Sequence, residues 1–152
     1  MTTLEEFSPF LDETTEPTDF SLSLMNKVVL VVDDSIETQR FLARILNSLG
    51  LEVHCAANGE EALRVFEKAL PDVVLMDLQM PTLNGYDATF ALRAAGYKAP
   101  IIAVTSDSRQ ETKTECLRNG FNGLIAKPVD RKYLGEMIYF SVSNRHNLGF
   151  DH

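Results

Sequence analysis

Four apolar stretches of this chain each end in a side chain suited to phosphoryl chemistry. Val28-Val29-Leu30-Val31-Val32 runs into Asp33-Asp34, and Val73-Val74-Leu75-Met76 into Asp77. Ile101-Ile102-Ala103-Val104 runs into Thr105, and Gly123-Leu124-Ile125-Ala126 into Lys127. If these ends meet, three carboxylates repel one another; at ~5 Å and an effective dielectric of ~20, each pair costs about 3 kcal/mol. A divalent cation removes that cost, and oxygen-only ligands suit Mg2+ or Mn2+ rather than zinc. A carboxylate beside such an ion can attack phosphorus as a nucleophile and become an aspartyl phosphate. That transfer needs positioning and charge neutralisation more than covalent help. The Lys127 ammonium would add positive charge, and the Thr105 hydroxyl could bond an arriving phosphoryl oxygen. Taken singly each has a bland reading: Asp33-Asp34 caps a loop, Thr105 bonds local backbone, Lys127 is solvated. The set carries the chemistry, not any one member.

The intervening segments must place these ends side by side. The strand at 28–32 is followed by Ser35, a fair N-cap for a helix to about residue 49, with Thr38, Phe41, Leu42, Ile45 and Leu49 on one face and Gly50 as its stop. A short strand at 52–56 precedes Asn58 and Glu61, a capping-box pair opening a helix to about residue 70. The core face of that helix carries Ala62, Leu63, Val65, Phe66 and Ala69, and Pro71 ends it. After the strand at 72–77, the Met80-Pro81 loop passes through Asn84-Gly85 into a helix over 86–95. The strand at 101–105 is followed by Ser108 and Glu111, another capping-box pair, and a helix closed by Asn119-Gly120. The strand at 123–126 and a last helix over 130–141 complete the pattern. Five strands alternating with five helices predict a doubly wound, flavodoxin-like α/β sandwich: a five-stranded parallel sheet, order 2-1-3-4-5, with helices on both faces. In such sheets ligands sit at the carboxyl ends of the strands, near the point where strand order reverses.

Composition narrows the function classes. The 152 residues suffice for one domain with a real core. Residues 1–25 contain Glu5, Glu6, Asp12, Glu13, Glu16 and Asp19 and no Lys or Arg, so most of the net charge of −8 lies there. This segment reads as an acidic flexible tail or linker in which Phe20, Leu22 and Leu24 could dock as an extended piece. Residues 26–142 read as the domain and 143–152 as a polar tail, with no output domain beyond it. The near-neutral remainder offers no basic stripe for a nucleic acid. No apolar run approaches the ~20 residues that span a bilayer, and no signal pattern opens the chain, so a cytoplasmic location without membrane contact is expected. Cys55 and Cys116 lack metal-type spacing and read as reduced thiols. His54, His146 and His152 read as surface residues without partners; Tyr86, Phe90 and Tyr97 read as packing residues. Ile36 falls on the exposed side of the first helix, where it would suit a docking patch for a phosphodonor helix.

The set Val31-Val32-Asp33-Asp34-Ser35, Met76-Asp77-Leu78-Gln79-Met80-Pro81, Gly85, Thr105-Ser106 and Lys127-Pro128 resembles the receiver domain of two-component response regulators, over residues 27 to about 142. The resemblance implies that Asp77 is the phosphoacceptor and that Asp33 and Asp34 hold Mg2+ with Asp77 and the backbone carbonyl of Gln79. It further implies that Thr105 and Lys127 bind the phosphoryl group and that Lys127-Pro128 is cis. Residues 83–89 and 99–103 look most like receivers of hybrid sensor histidine kinases. The partners implied are a histidine kinase or a histidine-containing phosphotransfer protein, with the domain a monomer or weak dimer. It would be no enzyme beyond catalysing its own phosphorylation and dephosphorylation. One departure concerns Leu124, three residues before the lysine, where receivers commonly carry an aromatic ring that swings inward. It keeps alive a degenerate receiver that binds proteins without phosphorylation. Gln79 and Asp107 occupy positions that in the family influence hydrolysis. A flavin-binding electron carrier on the same sheet order would need a Gly- or Ser/Thr-rich phosphate loop, where Asp33-Asp34 would repel the phosphate. A haloacid-dehalogenase-like phosphatase would place its two aspartates two apart on one loop.

Overall fold

In a computed structural model of the chain, residues 23–80 and 84–144 are described. Five strands and five helices alternate: β1 (Val28–Val32), α1 (Ile36–Ser48), β2 (Glu52–Ala56), α2 (Gly59–Ala69), β3 (Val73–Asp77), α3 (Gly85–Ala94), β4 (Ile101–Thr105), α4 (Gln110–Arg118), β5 (Gly123–Ala126) and α5 (Arg131–Asn144). All pairings are parallel and the order is β2-β1-β3-β4-β5, as expected.

The continuous apolar runs are explained by burial on both sides. Along β1, Val29 and Val31 face a layer with Leu42, Ile45 and Leu46 of α1 and Leu134, Met137 and Ile138 of α5. Leu30 and Val32 face the opposite layer, with Ala62 of α2, Ala88 and Leu92 of α3 and Cys116 of α4. β3 and β4 are buried at every position. Each such Val, Leu or Ile removes apolar surface worth roughly 1.5–3 kcal/mol from water. Because β2 lies at the edge, it takes no part in the central crevice.

Helix ends follow local chemistry. Ser35, Asn58 and Asn84 accept the N–H of Thr38, Glu61 and Asp87 and so cap α1, α2 and α3. Gly50 and Gly120 follow α1 and α4 with φ of 94° and 93°. α2 stops at Leu70, itself left-handed (φ 48°), just before Pro71.

The structure corrects several local expectations. α1 turns Gln39, Leu42, Ile45 and Leu46 inward and leaves Phe41 46% exposed, a rotation of the expected face. Ser108 does not cap α4; the cap position falls to Arg109, with no side-chain cap bond. Instead the Asp107 carboxylate accepts the Arg109 N–H at 3.2 Å and the Thr112 hydroxyl at 2.7 Å. α5 runs to Asn144, three residues beyond its expected end, and Asp130 accepts the Tyr133 N–H at 2.9 Å. Phe90 is 72% exposed and is no packing residue, whereas Tyr97 is buried, its ring edge-on to Phe66 at 5.1 Å. His54 has a partner after all, the Glu52 carboxylate at 2.7 Å. Leu24 is fully buried against the α1–α5 layer, in a turn closed by Lys27 N–H to the Leu24 carbonyl. The expectations for Phe20, Leu22, Pro81, His146 and His152 fall outside the described residues.

Candidate functional site

The side chains singled out by type converge at the carboxyl end of the sheet. β1 delivers Asp33, 2% exposed, and its Oδ1 accepts the Ser35 N–H at 2.8 Å. The same Ser35 caps α1, so one turn both orients Asp33 and starts the helix. Asp34 follows, exposed at the mouth. β3 ends in Asp77, 6% exposed, and its Oδ1 accepts the Gln79 N–H at 3.1 Å. β4 ends in Thr105, buried, with its hydroxyl accepting the Asp107 N–H at 3.1 Å. Lys127 lies just past β5, and the Lys127-Pro128 bond is cis. The Lys127 ammonium stands 3.4 Å from Asp33 Oδ2 and 3.8 Å from Asp77 Oδ1. It is thus no solvated surface cation.

Carboxylate oxygens of Asp33, Asp34 and Asp77 lie within 4.8 Å of one another. One ammonium against three carboxylates leaves the cleft with excess negative charge. Burial, first of all, pushes the Asp77 carboxyl above its ordinary value; the Gln79 amide and Lys127 pull it down, and the charges of Asp33 and Asp34 push it up again. Three oxygen donors, two buried and one open to solvent, fit a hard divalent cation such as Mg2+: they supply the charge it needs and leave coordination positions for water. Gln79 presents its N–H to Asp77, and its side chain is exposed.

The loop after β3 is seated by a close approach. A Cβ on Gly85 would stand 2.8 Å from Leu78 Cα and closer still to the Asp77 carbonyl oxygen. Only glycine lets the start of α3 rest against the backbone that carries Asp77.

Two residues near the site were not read from the sequence. Gln39, 9% exposed on α1, donates through Nε2 to the Asp33 carbonyl at 2.7 Å and to the Ala56 carbonyl at 3.3 Å. The signal available was a glutamine one turn ahead of the apolar positions 42, 45 and 46. Arg109 binds Asp107 through Nε and Nη2 at 2.9 and 2.8 Å, and together with Thr112 it holds that carboxyl well below the usual range. Asp107 is thereby committed to its own loop. Leu124, 5% exposed, packs in the α2–α3–α4 layer. Cys55 and Cys116 are free thiols. Among the described residues, no helix is long and apolar enough to cross a membrane.

Comparisons with known proteins agree with this geometry. A family model described as the response regulator receiver domain matches residues 29–139. The sensor histidine kinase RcsC of Salmonella typhimurium is 36% identical over 121 residues, covering 80% of this chain and 12% of the kinase. The chain therefore spans only a small part of the sensor kinases it matches. Among solved structures, the receiver domain of sensor histidine kinase PA1611 from Pseudomonas aeruginosa, with magnesium coordinated in its active-site cleft, superposes with a TM-score of 0.72 at 35% identity, over 78% of this chain and 99% of that one. The Saccharomyces cerevisiae receiver domain of Ssk1, crystallised with the histidine phosphotransfer protein Ypd1, gives a TM-score of 0.74 at 27% identity, over 84% and 97% of the two chains. With motif residues at four strand ends and Gly85 at the start of α3, a matching sheet order, a family model over residues 29–139 and relatives that include sensor kinases, the chain belongs to the response regulator receiver domain family.

Proposed function

We propose that this domain accepts a phosphoryl group from a phosphohistidine onto Asp77. The observation that carries this reading is the convergence of Asp77 with Asp33, Asp34 and Lys127 at the end of a parallel sheet. An Asp77 carboxylate oxygen attacks phosphorus; the phosphorus–nitrogen bond breaks, and its electron pair stays on the imidazole nitrogen. Lys127, already facing Asp77 Oδ1, would turn to a phosphoryl oxygen as charge moves outward. Thr105 can donate its hydroxyl proton to another, since its present bond uses it as an acceptor. Asp33 and Asp34, with the Gln79 carbonyl, would hold Mg2+ beside Asp77; when bound, the ion supplies charge neutralisation for the incoming oxygens. Hydrolysis returns the carboxylate and inorganic phosphate, water breaking the phosphorus–oxygen bond.

The donor would be a histidine kinase or a phosphotransfer protein, as the complex of Ypd1 with the Ssk1 receiver supports. Ile36, 51% exposed on the first turn of α1 near the cleft, suits such a helix. The domain would be a cytoplasmic signalling module and not a metabolic enzyme. With Leu124 there is no ring to swing, so the two states would differ through Thr105 and the β4–α4 loop.

The test is intact mass after incubation with Mg2+ and acetyl phosphate, beside an Asp77→Asn variant. One added phosphoryl mass in the wild type, lost with EDTA and absent from the variant, is expected. An adduct persisting in Asp77→Asn would put the nucleophile elsewhere. No adduct, with no beryllofluoride binding, would leave a protein-binding module.

A further inference from the structure

We infer that Gln39 is a positioning residue for the acidic pair Asp33-Asp34, acting through the Asp33 carbonyl; this rests on the metal-assisted reading above. Gln39 projects from α1 among Leu42, Ile45 and Leu46, where an apolar side chain would pack without any polar group to satisfy. Burying an amide there is costly unless it is bonded, and this one is bonded to two specific oxygens. Both neighbours are carbonyls, which only accept, so the NH2 group must be the part that faces them.

The two acceptors belong to the ends of different strands. Ala56 closes β2, and its carbonyl also accepts the Asp33 N–H at 3.0 Å, the last rung between β1 and β2. The Asp33 carbonyl belongs to the peptide that links Asp33 to Asp34. With Gln39 on that carbonyl, Ala56 on the Asp33 N–H and Ser35 on Asp33 Oδ1, the Asp33 residue is held at backbone and side chain alike. Oδ2 is left to face Lys127 across the cleft. The plane of the Asp33-Asp34 peptide sets where the Asp34 carboxylate stands, and Gln39 is the side chain bonded to that plane. Its amide is thus an outer support of a three-carboxylate cation site, the kind of partner whose loss commonly weakens metal affinity about 10–100-fold.

The test is Mg2+ affinity, measured by calorimetry and by backbone amide shifts of Asp34 and Ser35, for the wild type, Gln39→Met and a packing control on the same buried face of α1, Leu42→Ala. Methionine keeps the length and packing but cannot donate. The expected result is an affinity at least about 10-fold weaker in Gln39→Met, with acetyl-phosphate labelling restored at high Mg2+, and an unchanged affinity in Leu42→Ala despite its greater loss of stability. Equal affinities in wild type and Gln39→Met would overturn the inference while leaving the metal site standing. Weakening of the same size in Leu42→Ala would reduce Gln39 to a core residue and overturn it too. If the wild type itself bound no Mg2+, the cation site and the inference would fall together. Should Gln39→Met not fold, Gln39→Asn, which keeps the amide but not its reach, replaces it under the same criteria.

Discussion

The two ends of the sheet spend polar groups in opposite ways. At the amino end, Arg93 is half-buried and, among the described residues, forms no ion pair with a carboxylate. Its Nε and Nη2 donate to the Gly120 carbonyl at 3.1 and 2.9 Å, and Nη1 to the Tyr97 and Ala99 carbonyls at 2.8 and 2.7 Å. Nη2 also donates to Asn122 Oδ1, which in turn accepts the Ile101 N–H as β4 begins. Nearby, Asp72 accepts the Val28 N–H and Tyr97 donates its hydroxyl to the Pro71 carbonyl. These bonds tie α3 to the segments that lead into β4 and β5. At the carboxyl end, three carboxylates face one ammonium and the residual charge has nowhere to go within the protein. Satisfied polar groups hold a fold in place; unsatisfied ones mark where something else is meant to bind.

Substitutions at the two ends should therefore separate function from stability. Asp77→Asn is expected to abolish phosphoryl uptake yet raise metal-free stability by about 1–3 kcal/mol, because two repulsions are relieved and one attraction lost; urea titrations read the gain. Arg93→Met should do the reverse, costing about 3 kcal/mol by stranding several carbonyls, while the surviving folded protein still takes up phosphate from acetyl phosphate. If Arg93→Met cost nothing, the amino end would not be the clamp its bonds suggest.

A pH series sharpens the contrast. The Asp77 carboxyl is raised in the folded state, so the proton binds folded protein more tightly than unfolded. Relative to Asp77→Asn, the metal-free wild type should lose stability as pH climbs above the ordinary value of 3.8 and through the folded value, and the gap should close in acid below it. A gap of constant size across that range would mean that charge is not its source. The smallest effect is expected from Tyr97→Phe, which removes one hydrogen bond to the Pro71 carbonyl: about 1 kcal/mol in thermal unfolding, with labelling kinetics unchanged.

Much of this molecule was legible in the chain because its signals are local. Apolar runs, the Ser35 and Asn58 caps and the glycines after α1 and α4 determine elements within a few residues of themselves, and polar residues at strand ends needed only the parallel topology to meet. What escaped detection depended on distant partners. Phe41 looked like core because it is the most apolar residue of its turn, but α1 spends that inward position on Gln39, whose acceptors lie on two strands. Ser108 and Glu111 matched a capping pattern, yet Asp107, reaching from just ahead, took the bonds that organise the loop. The Arg93 clamp joins positions 27 to 29 residues apart and has no sequence signature.

The bond between Lys127 and Asp33 spans 94 residues of sequence. In this sheet order β3 and β4 lie between β1, which leads to Asp33, and β5, which leads to Lys127, so the pair forms only across a complete sheet. The charge balance of the cleft therefore depends on the whole run of strands from β1 to β5 being in place. A chain still emerging during synthesis, stopped before β5, would have every aspartate of the site and no lysine to oppose them. Such a chain would be expected to hold three unopposed carboxylates where the finished domain holds an ammonium among them.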